Sequence, residues 1–211
     1  MVIKTDLREY WRIELTWLKV ERCSALRLAK NMIATPDQIL AFWRAAGPDK
    51  WFEPDDVFDG EIRARFAATY EAAARRALDH WQESTDGTLA LLILLDQFPR
   101  NLFRGEARAY ATDTQARAVA DRALSRGIDR EFPADERQFF YLPFMHSENV
   151  ADQERCIALY GRSADAEGLR HAEIHADIIR RFGRFPHRNR ALGRTTTLDE
   201  QAFLDAGGFG S

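Results

Sequence analysis

Apolar residues return along this chain at intervals of three and four, the spacing that lines one face of a helix. The polar residues between them carry the signals that start and stop helices. Thr35 and Gln38 form a capping box with Pro36 at the first helical position, and Ile39, Phe42 and Trp43 follow as one stripe that stops at Gly47-Pro48. From about Glu61 to Trp81, Ile62, Phe66, Tyr70, Ala73, Ala77 and Trp81 recur opposite Arg63, Arg75 and Arg76, which predicts one long amphipathic helix. Leu89 to Leu95 is apolar all round. That length suits a buried strand or a buried helix, and the scarcity of β-branched residues favours helix, as the central element.

Between Ala107 and Arg126 a run of alanines (107, 109, 111, 116, 118, 120 and 123) would let a neighbouring helix approach closely before Gly127 ends it. Further helices are expected from about Asp135 to His146, Asp152 to Arg162 and Glu167 to Phe182. A second capping box, Thr197 with Glu200, opens a last one from Leu198 to Leu204. The fold class is therefore all-α: an irregular antiparallel array of about eight or nine helices, without a readable tetratricopeptide repeat.

The pattern changes in the first 31 residues, where seven Lys/Arg against four Asp/Glu give +3 and leave −6 of the overall −3 for the remainder. Their apolar residues are broken up by Glu14 and Lys19, so neither a signal-peptide core nor a membrane span is written there. We expect residues 1–31 to be an extension, either an upstream reading ahead of a natural start at Met32 or a loosely attached helix. The helical domain then covers 32–205, and 206–211 form a flexible Gly-rich tail.

Net charge of −3 and a pI near 6.0 offer no field that attracts nucleic acid or anionic lipid, so neither is an expected partner. Cys23 and Cys156 are too few for a disulfide framework and lack zinc or redox spacing; a reducing cytoplasm fits best.

Candidate chemistry lies in two phrases of the same form: Leu94-Leu-Asp-Gln-Phe-Pro-Arg-Asn-Leu-Phe-Arg104 and Ile178-Ile-Arg-Arg-Phe-Gly-Arg-Phe-Pro-His-Arg-Asn189. Because proline disfavours helical geometry in the residue before it, each helix is expected to end near Phe98 and Phe185. Arg100, Asn101, Arg188 and Asn189 then either cap helix ends or furnish a site. Arg180, Arg181, Arg184, Arg188, Arg190 and Arg194 crowd a stretch with no Asp or Glu between Ile178 and Leu198. They form either an anion site or a set of ion pairs to acidic segments such as Asp55-Asp56-Val-Phe-Asp59 and Asp129-Arg-Glu131.

On a helical wheel His171 and His175 fall on the packed stripe with Ile178 and Phe182. Buried imidazoles need partners, and His146 and Glu148, with Asp96 on the apolar helix, could supply them. The i, i+4 histidine pair has metal-ligand spacing without the H-E-x-x-H context, so a hydrogen-bonded core histidine is preferred and no metal is assigned. An acid/base pair of one histidine with Glu148 or Asp96 is chemically open, because imidazole titrates near neutrality. No P-loop, dinucleotide turn, G-x-S-x-G elbow or Cys-His signature is present, which disfavours nucleotide-dependent chemistry and leaves the cofactor open.

The phrases at 94–105 and 181–189, together with Tyr-Leu-Pro-Phe-Met-His-Ser-Glu at 141–148, Phe42-Trp43 and Lys50-Trp51-Phe52, resemble the bacterial family of unknown function numbered 924. The resemblance runs from about Thr35 to Leu204 and implies an all-helical, tetratricopeptide-like fold. It implies no activity and assigns no catalytic residue.

The residues themselves point to a polar pocket where the helix ends meet. His146, Glu148, His175 and Asp96 are its acid/base candidates. Arg100, Asn101, Arg104, His171, Arg184, His187, Arg188 and Asn189 are its contacts for a small anionic ligand. The alternative is a non-catalytic module that holds a peptide or protein partner in an apolar groove, with aromatic residues around Trp43, Trp51 and Phe52.

Overall fold

The computed structural model describes residues 32–163 and 165–208. The extension at 1–31 and the last three residues of the expected tail lie outside them. Among the described residues every regular element is helical, and no helix is long and apolar enough to cross a membrane.

Helix α1 (Pro36–Ala46) begins at the Thr35–Gln38 capping box and ends at Gly47, whose φ of 76° only glycine adopts without strain. The turn that follows lays Trp51 flat on Trp43, with ring centroids 5.9 Å apart, and the Trp51 Nε1 donates to the Trp43 carbonyl at 2.7 Å. Helix α2 (Asp56–Ala74) is capped by Asp55, which accepts from the backbone N–H groups of Val57 and Phe58. It stops earlier than its apolar stripe suggests. Arg76 takes φ 65°, and a separate 3-10 turn, Asp79–Glu83, carries Trp81 back into the core.

The central apolar segment is helical, as its composition implied: α3 (Thr85–Leu92) passes through one π-helical turn, Ile93–Gln97, into α4 (Phe98–Leu102). Every residue from Leu89 to Pro99 is buried. The expectation that this helix ends near Phe98 is corrected here, and the reason is local. Pro99 has no N–H for the carbonyl four residues back, and the Thr112 hydroxyl donates to that Leu95 carbonyl instead, at 2.6 Å. The Asp96 carbonyl is taken by the Arg100 guanidinium. The widened turn thus lets the chain remain helical through a proline.

Helix α5 (Asp113–Ser125) presents Ala116, Val119, Ala120 and Ala123 to the core and packs on α3; the alanines before it form a distinct 3-10 turn, Ala107–Tyr110. The single helix expected over 135–146 is instead a series of short turns ending in α6 (Leu142–Met145), because Phe139, Phe140, Leu142, Phe144 and Met145 are all buried and no one helical face could bury them together. Helices α7 (Val150–Ser163) and α8 (Ala166–Phe182) fold back on each other. Gly183, at φ 70°, stops α8, three residues before Pro186. Helix α9 (Leu198–Asp205) starts at the Thr197–Glu200 capping box. A second, smaller apolar cluster of Ile178, Ile179 and Phe185, backed by Phe203, joins α9 to the end of α8.

Candidate functional site

The π turn delivers a carboxylate into the core. Asp96 is 1% exposed, and its Oδ1 lies 2.8 Å from Nδ1 of His146, the residue that closes α6. Its Oδ2 accepts from the Gln97 amide at 2.5 Å, and Arg100 stands 3.5 Å away. Arg100 also reaches both carboxylate oxygens of Asp113, at 3.1 and 3.2 Å. The chain of charge continues to Arg188, whose Nη1 lies 3.5 Å from the same Asp113. Arg188 is 6% exposed, and its guanidinium carbon sits 4.5 Å from the ring centroids of both Tyr110 and Phe185.

A cleft of about 360 Å³ is lined by His146, Asp113, Arg188 and Tyr110 of this group, together with Arg117, Ser147, Glu148, Asn149, Leu192 and Arg194. Glu148 binds Arg194 through both oxygens, at 2.8 and 2.7 Å, and accepts the Phe185 backbone N–H at 2.9 Å. That last bond ties the His-Ser-Glu segment to the second Phe-Pro turn. Ser147 donates to Asp152, which also pairs with Arg117 at 3.3 Å. Gln153 sets the backbone on either side of His146: its side-chain amide donates to the carbonyls of Phe144, Met145 and Ser147.

Burial opposes the ionised form of Asp96, yet the surrounding His146 and Arg100 outweigh it and hold its carboxyl down at about 2. His146 is pushed below its ordinary value by burial and by the Arg100 charge, against the pull of Asp96. It is therefore neutral at pH 7, with Nδ1–H donated to the Asp96 carboxylate and the lone pair on Nε2. Burial, with repulsion from Arg100, brings even Arg188 down to about 10. Glu148 keeps a depressed pKa despite its own burial, because Arg194 and the Phe185 N–H bind its anion.

The structure thus brings His146, Glu148 and Arg188 to one cleft, with Asp96 behind His146 and Arg100 behind Asp113. The other expected site residues lie elsewhere. Asn101 and Arg104 turn to Asp59 on α2, at 2.8 and 3.0 Å, and lock α4 to that helix. Arg184 donates two hydrogen bonds to the Glu200 carboxylate, at 2.6 and 2.9 Å, and Asn189 donates to Glu200 and Thr196, so both fasten α9. His175 is buried as its wheel position predicts; its Nδ1 donates to the His171 carbonyl at 2.7 Å and its ring meets the Phe185 ring at 5.7 Å. His171 is not: 44% of its side chain is exposed beside Arg170. His187 leans on Phe185 of its own turn, with centroids 5.6 Å apart.

Arg180 pairs with Glu154 and Asp177, so the arginine run finds acids other than Asp55, Asp56, Asp129 or Glu131. Among the described residues no group of three or more His, Cys, Asp or Glu side chains is gathered to hold a metal ion. Sequence reasoning missed Tyr110, Asp113, Arg117, Asp152 and Gln153. The one available signal was Tyr110-Ala-Thr-Asp113, a polar interruption inside the alanine run.

Fold and site together define a class: an all-helical array whose central helix carries a buried acid–histidine–arginine cluster to the edge of a polar cleft. The family profile of the bacterial proteins of unknown function, DUF924, matches residues 39–208, and the chain belongs to that family. It is similar to the solved structure of a protein of unknown function from Agrobacterium tumefaciens, at 51% identity and a TM-score of 0.79, over 82% of this chain and 97% of that one. Among curated proteins none matches the chain.

Proposed function

We propose that this cleft binds a small anionic ligand and that His146, oriented by Asp96, moves a proton on it. The observation that carries the reading is Arg188. A buried guanidinium normally has its donors satisfied and its charge matched. Here Nε has no hydrogen-bond partner among the described residues, and the one carboxylate in reach is 3.5 Å away and already held twice by Arg100. An oxyanion in the cleft, meeting the part of the guanidinium that lines it, would match that charge. Beside it, the Asp96–His146 pair has the geometry of an oriented general base, because Asp96 fixes the tautomer that leaves Nε2 free to accept.

The peptide- or protein-binding alternative draws little from the aromatic residues that suggested it. Trp43 and Trp51 are 1% and 6% exposed and stacked in the core, and only Phe52 of that group reaches solvent. The tetratricopeptide-like arrangement implied by the family resemblance belongs to this proposal too, supported by the α7–α8 hairpin. The cytoplasm as its compartment is supported by the low cysteine count and the buried, unpaired Cys156.

The test is thermal unfolding with acetate, malonate, sulfate or inorganic phosphate, at ionic strength held constant with chloride. A ligand at a hundred times its Kd stabilises by about 2.7 kcal/mol, or a Tm rise of roughly 5–10 °C for a chain of this size. At least one oxyanion should raise Tm in the native protein and fail to do so in Arg188→Met. No rise with any of them, or a rise undiminished in the variant, defeats the reading.

A further inference from the structure

Resting on the anion-site reading above, we infer that the ligand carries a hydroxyl beside its anionic group and that this hydroxyl donates to Nε2 of His146. The side-chain acceptors that line the cleft are nearly all occupied by one another. Both oxygens of Asp113 accept from Arg100, at 3.1 and 3.2 Å. The Glu148 oxygens accept from Arg194 and from the Phe185 backbone N–H, and the Asn149 oxygen accepts from the N–H groups of Ala151 and Asp152. The Ser147 hydroxyl donates to Asp152 and accepts the Asn149 N–H. Among the described residues two acceptors of the lining make no hydrogen bond, Nε2 of His146 and the hydroxyl of Tyr110, and neither is sealed from solvent.

These two differ in what they can meet. A tyrosine hydroxyl turns its proton toward an anion and so suits the charged end of a ligand. Nε2 has no such choice. Asp96 holds the ring proton on Nδ1, at 2.8 Å, and the neutral imidazole then presents only a lone pair at Nε2. Against an oxyanion that lone pair is repulsive; it is satisfied by an O–H or N–H carried next to the charge.

Charge decides between the two. An ammonium group would enter beside Arg188 while the carboxylates of the lining, Asp113 and Glu148, are already held by Arg100 and Arg194. The Arg100 charge that helps to keep His146 neutral opposes a ligand cation in the same way. A hydroxyl brings the proton without the charge. A cleft of about 360 Å³, at the small end of the range for ligand sites, suits a short hydroxy acid or a small hydroxylated phosphate. In either one the hydroxyl proton lies within reach of the base that His146 would supply.

The experiment is isothermal titration of the native chain at pH 7 and constant ionic strength with two matched pairs: lactate against propionate, and glycerol 3-phosphate against propyl phosphate. The His146 Nε2 resonance is followed by nitrogen NMR in the same samples. In the pair whose anionic group the site accepts, the hydroxylated member should bind roughly three- to tenfold more tightly, the worth of one exchanged hydrogen bond. It should also move the Nε2 resonance upfield, toward that of a hydrogen-bonded acceptor, while its deoxy counterpart leaves the resonance near its unliganded position. His146→Phe should bring the two members of the pair to equal affinity. Equal affinities within both pairs in the native protein would overturn the hydroxyl and leave the anion site standing. Binding of none of the four would overturn the anion site as well. A hydroxyl preference with the Nε2 resonance unmoved would show that another group, such as Tyr110, reads the hydroxyl, which also overturns the inference. Affinity and resonance are both read on the native protein, so the test survives a phenylalanine variant that does not fold.

Discussion

Asp96→Asn keeps the shape of a buried side chain and removes its charge. The native carboxylate is 1% exposed, accepts from His146 at 2.8 Å and from Gln97 at 2.5 Å, and helps to compensate Arg100 at 3.5 Å. In the variant one oxygen becomes an amide donor. If the remaining oxygen keeps its bond to His146, the new N–H₂ faces the Gln97 amide, donor to donor. Arg100 and Arg188 then have only Asp113 between them. Breaking a buried ion pair by removing one partner costs about 3–5 kcal/mol. For a domain of this size each kcal/mol lowers Tm by about 2–4 °C, so a fall of roughly 6–20 °C is expected.

Urea unfolding followed by circular dichroism measures the loss directly and should show an unchanged m-value. The His146 pKa, followed by NMR, should fall further, because Asp96 is one of the groups that raise it. A useful contrast is Asp59→Asn, whose partner Arg104 is 42% exposed and can turn to water; a loss of about 1–2 kcal/mol is expected there. A loss below about 1 kcal/mol for Asp96→Asn is what a solvent-screened surface pair gives. It would refute the claim that this carboxylate anchors the cluster.

Acid should destabilise the protein early. Burial holds His175 at about 3 and, together with Arg188, His187 at about 4, while burial and Arg100 hold His146 below its ordinary value. The unfolded chain therefore takes up these protons first. The stability from keeping these imidazoles neutral is complete above about pH 6.5 and is lost as pH falls toward 4, by up to about 1.4 kcal/mol per pH unit for each histidine. His175→Gln should flatten that slope, and a stability constant between pH 7 and 5 would contradict the assignment. Gly60→Ala, in the interior of α2 with nothing within 4 Å of the added Cβ, should stabilise by about 0.5–1 kcal/mol. Gly168→Ala should instead cost about 1–3 kcal/mol, because its Cβ would fall 2.3 Å from the Tyr160 ring; urea unfolding of the two variants should show opposite signs. Gln153→Leu strips the carbonyls of Phe144, Met145 and Ser147 of their shared donor. Hydrogen exchange should then quicken across 142–149, with a global loss of at least about 2 kcal/mol.

The sequence by itself determined what depends on near neighbours. Thr35 with Gln38 and Thr197 with Glu200 start helices, and Gly47 and Gly183 stop them, because caps and left-handed turns are made within a few residues. The apolar run at 89–95 is the central helix for the same reason. Two local readings failed where a distant group intervened: Pro99 does not end its helix because Thr112 satisfies the Leu95 carbonyl, and the stripe through Trp81 is broken at Arg76.

The candidate site was legible only in part. The two Phe-Pro-Arg-Asn phrases look equivalent, yet in each the arginine turns to Asp113, while the asparagine beside it turns away, to Asp59 in one case and Glu200 in the other. Consecutive residues in a helical turn are about 100° apart around its axis, so neighbours in sequence face different partners. Which partner stands there, whether Asp59, Asp113 or Glu200, is set by how α2, α5 and α9 pack. Those carboxylates lie 11 to 75 residues away along the chain, and no local pattern points to them. The tertiary structure alone decided that Arg188 would be buried against two rings, Tyr110 and Phe185, with a donor left over.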